Sequence, residues 1–192
     1  MRLDELLLQF LSCDRLDQEP LDEYTLIKLL ALARFCPSLE NRQPLRYLLA
    51  WRPDQIDTIS RHLRRGTALD TWPDLVQSDE PAGYIIILGD TRVSFRFDWE
   101  CRVASQTILL GAVMGGLDGV VRRSIDRAGL QAALDLPSHL EILTIVALGK
   151  PRETVVREDG SPDVRPGWRN ADHLERVPMR PLSELRIELP GF

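Results

Sequence analysis

Residues 84–90, YIIILGD, make an unbroken apolar run closed by turn-forming residues, and this run constrains the fold more than any other segment. A strand with one wet face would alternate apolar and polar residues, so a run without alternation reads as a strand buried on both faces, central in a sheet. A second run, LEILTIVALGKP at 140–151, ends at Gly149 and Pro151 and predicts another buried strand. Both need helices to cover them. Glu100 to Leu117 supplies one: Val103, Ala104, Ile108, Leu109, Leu110, Ala112, Val113 and Met114 occupy most of its circumference, the pattern of a helix buried on several sides.

The first 35 residues predict two more helices. LDELLLQFL places Leu3, Leu6, Leu7, Phe10 and Leu11 at helical spacing, and LDEYTLIKLLALARF resumes after a polar, Pro-containing link until Pro37 stops it. LRYLLAW, 45–51, predicts a strand, WRPDQIDTISRHLRRG a short amphipathic helix, and RSIDRAGLQAALDL, 123–136, a helix with Ser124 or Asp126 as N-cap. No repeat and no break in composition divides the 192 residues, which predicts one α+β domain. The last stretch of about 40 residues is polar and rich in Gly and Pro, with little from which to build a core. It is either a loose surface loop or a segment lying across another subunit.

At 44% hydrophobic and 28% charged residues the chain has the composition of an ordinary soluble globular protein. A net charge of −5 gives no global attraction to nucleic acid or to an anionic membrane, so neither is expected as a partner. Any anionic ligand has to be held by local charges. An apolar run of about 18 residues is missing, and MRLDELLLQF carries acids where a signal peptide carries basic residues, so a cytoplasmic protein is expected. Cys13, Cys36 and Cys101 are widely spaced, with no C-x-x-C pair, and read as reduced packing residues, not as disulfide or metal ligands.

One segment does not serve the core. CPSLENRQPLRY, 36–47, sets Pro37, Ser38, Asn41, Gln43 and Pro44 between an apolar helix and an apolar strand. Ser38 and Asn41 read either as ligand-binding groups or as side chains satisfying loose backbone at a helix end. Ser105 and Gln106, on the buried helix, either face a ligand or hydrogen-bond within an interface.

In this order and spacing, CPSLENRQPLRY, YIIILGD, VASQTILLGAVMGGLDG, SIDRAGLQAALDLP, LEILTIVALGKPRE and VPMRPLSEL resemble the nitroreductase family of flavoproteins over roughly residues 20–185. The P-S-x-x-N-x-Q-P and A-x-Q-x-x-L-L-A/G-A patterns carry the resemblance. It implies a nitroreductase-like three-layer α+β sandwich, residues 1–192 as a single domain with a central mixed sheet flanked by helices, in a homodimer whose 155–192 extension wraps the partner subunit. It also implies FMN at the dimer interface: NAD(P)H gives a hydride to the flavin, and a nitroaromatic, quinone or similar small-molecule acceptor takes the electrons at the same face. Neither a catalytic side chain nor a metal is implied. Pro37, Ser38, Leu39, Asn41 and Gln43 match the loop that lies along the ribityl chain and ring edge.

The phosphate end departs from the family. Its basic motif, roughly Arg-Arg-Ser-x-Arg-x-Phe, matches Phe10-Leu11-Ser12-Cys13-Asp14-Arg15-Leu16 here, and a later Lys-Arg pair matches Met179-Arg180. Ser12 and Arg180 are kept, while Arg15 follows the acid by one residue, which on a helix turns it about 100° away. An acid in place of Arg at 4 Å from a phosphate changes the interaction by about 4 kcal/mol per unit charge at an effective dielectric near 20. Arg34 or Arg42 then either substitutes or is spent on an ion pair with Glu40 or Asp14. Arg123 and Ser124 stand where the family places an apolar-Gly or acid-Gly pair beside the flavin N5 and O4 edge. Arg123 either draws an anionic substrate over the ring, takes the ring's space, or is an exposed helix start. The sequence supports an FMN-dependent oxidoreductase, and alternatively a flavin-poor or flavin-free relative acting as a binding or regulatory protein.

Overall fold

In the computed structural model the two apolar runs lie side by side as neighbouring antiparallel strands. The structure describes residues 2–10, 16–63, 81–152, 155–160, 168–169 and 175–187. Residues Met1–Pro151 and Arg152–Phe192 form two compact units.

The first unit runs α1 (Leu3–Gln9), β1 (Leu16–Asp17), α2 (Glu23–Ala33), a 3-10 turn (Leu39–Asn41), β2 (Leu45–Ala50), α3 (Pro53–Ser60), β3 (Gly83–Asp90), α4 (Asp98–Met114), β4 (Asp118–Arg122), α5 (Arg127–Ala133) and β5 (Leu140–Pro151). β2, β3 and β5 lie in line, and β4 and β1 both pair with β5. All of these ladders are antiparallel, so the sheet described here is antiparallel where a mixed one was expected.

Every residue of β3 is buried, as its unbroken apolar run requires. Its alternate side chains feed two cores. Tyr84, Ile86 and Leu88 pack with Ile59 of α3 and Leu130 of α5, while Ile85 and Ile87 pack with Leu26 and Leu29 of α2 and Ala104, Ile108 and Ala112 of α4. This is a sheet between two helical layers, each core using one half of the strand period. The register between β3 and β5 shifts between Ile87 and Leu88, from Thr144 to Ile142. That slip leaves Leu143 as an extra residue and puts Ile142 and Ile145 in the same core despite their odd spacing.

Local signals place the helix starts. Asp22 caps α2 by accepting from Thr25 N at 2.8 Å, and Asp126, one of the two expected caps, accepts from Gly129 N at 3.2 Å to start α5. The predicted helix at 123–136 is therefore shorter, and Arg122 belongs to a strand the sequence reading missed.

The second unit holds β6 (Val155–Asp159), β7 (Trp168–Arg169), β8 (Glu175–Met179) and α6 (Leu182–Leu185). β6 and β8 are parallel, and β7 is antiparallel to β8. The segment expected to lack a core thus has backbone order of its own. Among the described residues no helix is long and apolar enough to cross a membrane, and no group of three or more His, Cys, Asp or Glu is placed to hold a metal.

Candidate functional site

The segment from Cys36 to Pro44 folds back on itself at the end of α2. Phe35 N donates to Leu32 O and Cys36 N to Ala33 O, both at 3.0 Å, and Pro37 then ends any helical continuation. Ser38 precedes the 3-10 turn, where Asn41 N reaches Ser38 O at 2.9 Å. Glu40, Asn41 and Gln43 have φ of 52, 56 and 49°, the left-handed region that non-glycine residues avoid. Each such residue costs of order 1–3 kcal/mol, so the surroundings must hold the loop.

Five hydrogen bonds do so. Ser38 Oγ accepts from Gln43 N at 2.9 Å, Gln43 Nε2 donates to Asn41 Oδ1 at 3.0 Å, and Arg46 Nη1 donates to Gln43 O at 3.1 Å. Asp90 N donates to Pro44 O at 2.9 Å. From the neighbouring helix, Glu100 in the first turn of α4 accepts from Leu39 N at 3.1 Å. Ser38 therefore satisfies a loose backbone N–H, as the simpler reading of the sequence has it, whereas the Asn41 side chain bonds the Gln43 side chain. The Ser38 hydroxyl proton and the Asn41 amide N–H groups nonetheless have no partner among the described residues, leaving donors for a ligand.

Beneath the loop lies a buried carboxylate. Asp90, 1% exposed, receives Arg92 Nε at 3.0 Å and Arg92 Nη2 at 2.9 Å, and Arg46 Nη2 stands 3.3 Å away. The Arg92 fork holds the Asp90 carboxyl down to about 2, with Arg46 adding a weaker charge. Nearby, burial pushes the Tyr47 phenol up to about 12.

Three clefts meet at the start of α4. One, of about 350 Å³, is lined by Pro37, Ser38 and Gln43 with Arg34, Tyr47 and Glu100. The next, of about 1100 Å³, is lined by Leu39 and Arg42 with Phe97, Trp99 and Glu100. The third, of about 550 Å³, is lined by Arg123, Arg102 and Arg127 with Ser105, Gln106 and Thr144. Glu100 and Pro44 are shared by the first two, and Phe97, Asp98, Glu141 and Leu143 by the last two, so the clefts run on from one another. Phe97 can form this wall because β3 carries Gly89: a Cβ there would come within 2.7 Å of the Phe97 ring.

The structure thus brings Pro37, Ser38, Leu39, Asn41 and Gln43 into one loop and sets Arg123 in an adjoining cleft. Ser124 is exposed beyond β4 and lines none of the three. Ser12 and Arg15, together with Leu11 and Asp14, fall outside the described residues. Arg180 is in the second unit and is ion-paired with Glu184 at 2.9 Å. Arg42 is spent on Glu40 at 2.6 Å, whereas Arg34, on the wall of the smallest cleft, makes no ion pair among the described residues. Arg123 is exposed and lies four residues before α5, so it is not the start of that helix. Ser105 donates to Cys101 O at 2.7 Å, a bond inside α4, and so offers no proton to a ligand; Gln106 is exposed at the cleft. Glu100 was not foreseen, because an acid in a first helical turn reads simply as favourable to the helix dipole.

These groups suit the uncharged part of FMN. Hydroxyl and amide donors match ribityl hydroxyls and a pyrimidine edge, and the clefts are within or near the range of about 300–1,000 Å³ usual for small-molecule sites. Of the residues expected at the phosphate, Ser12 and Arg15 lie outside those described.

A nitroreductase family model matches residues 12–150. Among solved structures, a nitroreductase candidate from Desulfovibrio desulfuricans in complex with FMN is 23% identical over 100% of this chain and 99% of that one, with a TM-score of 0.72. A nitroreductase family protein from Clostridium difficile 630 is 19% identical over 97% and 98%, with a TM-score of 0.71. An FMN-dependent nitroreductase from Clostridium difficile R20291 is 16% identical over 99% and 100%, with a TM-score of 0.69. A comparison with curated proteins finds no match.

Proposed function

The chain belongs to the nitroreductase family, and from that membership we propose that it is an FMN-dependent oxidoreductase, a homodimer that passes electrons from NAD(P)H to a nitroaromatic, quinone or similar acceptor. The observation that carries this reading is the strained loop at 38–43, held by Glu100, Arg46 and Asp90 and presenting the Ser38 hydroxyl and Asn41 amide outward. A backbone conformation that unfavourable is kept where the loop serves a ligand more than the core.

When bound, FMN supplies the hydride-accepting and electron-donating chemistry. The chain's own part is to place it. Ser38 and Asn41 give hydrogen bonds to hydroxyls and amide edges, and Glu100 fixes the backbone from which they project. Arg34, not Arg42, is the described residue of the first unit best available to meet the phosphate. A dimer is supported by apolar side chains left open on the helices of the first unit, among them Leu8 at 68% exposed, Tyr24 at 63% and Met114 at 64%.

Purified protein should be yellow, with flavin absorbance, and should recover it on FMN addition after stripping. Asp14→Arg should tighten FMN by roughly tenfold or more, with Leu11→Arg adding to it, and the gain should shrink as salt approaches 1 M, where the Debye length is about 3 Å. Fluorescence titration of the three proteins at low and high salt measures this. Tight binding that neither change improves would transfer the phosphate to Arg34. A colourless dimer that FMN cannot restore would favour the flavin-free relative, the reading that Leu11, Asp14 and Met179 support.

A further inference from the structure

We propose that the acceptor is a carboxylate-bearing molecule, its anionic group held between Arg102 and Arg123 in the cleft of about 550 Å³ beside α4. The proposal rests on the oxidoreductase reading for its electron transfer, and on this cleft alone for its anion binding.

The argument begins with what the arginines do not do. Elsewhere in the first unit, arginines with acids close by are paired: Arg42 with Glu40, Arg46 and Arg92 with Asp90, Arg61 with Asp57. Arg102 and Arg123 make neither hydrogen bond nor ion pair among the described residues, although Asp98 and Glu141 line the same cleft. Guanidinium forks without partners, facing a common space, are ready for an anion and suit a carboxylate bidentately.

A third guanidinium is fixed in place. Arg127 donates through Nε to Ile142 O and through Nη2 to Leu143 O, both at 3.0 Å, which anchors it to β5. Arg102 and Arg123 line this cleft together with the half-buried Cys101. Burial raises the Cys101 pKa, the Ser105 hydrogen bond lowers it, Asp98 raises it, and the charges of Arg123 and Arg102 lower it, as expected of cations near the thiol.

The charge count fits a carboxylate. Arg102, Arg123 and Arg127 against Asp98 and Glu141 leave one positive charge, which a single carboxylate neutralises. Gln106, exposed on the rim and without a hydrogen bond among the described residues, adds a neutral donor. Val121, Ile142 and Leu143 give an apolar wall for the rest of the molecule.

The test uses full-length protein and two matched probes, 4-nitrobenzoate and the neutral 4-nitrobenzamide. Calorimetry at low salt should show the benzoate binding at least about tenfold tighter, and the preference should fall to near one in about 1 M NaCl. The Arg102→Gln, Arg123→Gln double variant should lose the preference as well. Arg102→Gln alone, an exposed change, should lose part of it and covers the case in which the double variant fails to fold. In turnover, the KM ratio of the two probes should follow the binding ratio. Equal affinities, or a preference that survives the double variant, overturn the proposal while a yellow, FMN-binding protein leaves the oxidoreductase reading standing. A colourless protein that FMN cannot restore and that still prefers the benzoate through Arg102 and Arg123 sinks that reading and keeps the anion site.

Discussion

Asp90 shows how one residue can serve the site without facing a ligand. Its carboxylate holds Arg92 and Arg46, and Arg46 in turn holds the carbonyl of Gln43. Because the folded-state pKa lies near 2, below the ordinary carboxylate value near 3.8, the folded form binds its proton less readily than the unfolded chain. The stabilisation is therefore complete above about pH 4 and is lost as pH falls from there through about 2. Denaturant midpoints measured between pH 2 and 5 should drop on the acid side in the wild type. Asp90→Asn should be less stable at neutral pH and should show a flatter acid limb. Tyr47 behaves in the opposite sense: its phenol, raised to about 12, contributes stability that is present below about pH 10 and lost above it. None of this was legible from single residues in the sequence, since Asp90, Arg92 and Arg46 each look like surface charge until the loop and the strand end are brought together.

At the scale of elements, the sequence showed what apolar pattern alone can show. β3, β5 and α4 were legible because their apolar residues are continuous or surround the helix, and α2 because Leu26, Leu29 and Ala33 repeat at helical spacing. β4 was not, because DGVVR is short, opens with turn-forming residues and ends in a cation, and only its ladder with β5 makes it a strand. The three strands of the second unit were missed for the same reason, being short and largely polar. The loop at 37–43 was legible as a site but its support was not, since Glu100 lies 61 residues from Leu39. The approach of α4 to α2 gives a test at this scale. Gly111 faces Leu32 and Leu29 so closely that a Cβ would collide with the Leu32 side chain. Gly111→Val should cost about 1–3 kcal/mol by overpacking, read as a lower urea midpoint with an unchanged slope, and should loosen the helix that carries Glu100. A neutral effect would mean that α2 and α4 separate easily.

For the whole molecule, the proposed dimer makes the sharpest demand. α4 buries Ala104, Ile108, Leu109 and Ala112 inside its own subunit yet leaves Met114 open, and α1 and α2 show Leu3, Leu8 and Tyr24 to solvent. Deleting residues 155–192 should give aggregated or unstable protein, checked by sedimentation and thermal melting, and a soluble, well-folded monomer would remove the argument for an obligate partner. The centre of the sheet offers a way to follow all of this from inside. β3 is bonded along one edge by β2 and along the other by β5, with Ile85, Ile86 and Ile87 fully buried. Amide protons on such a strand meet deuterium only when the entire unit opens, whereas those of the turn at 39–43 should exchange through local fluctuation. A cofactor bound at the loop should therefore slow exchange at Ile86, a buried residue that lines none of the three clefts, by the factor of one plus its concentration over its Kd. The innermost strand becomes the reporter of what the outermost loop has caught.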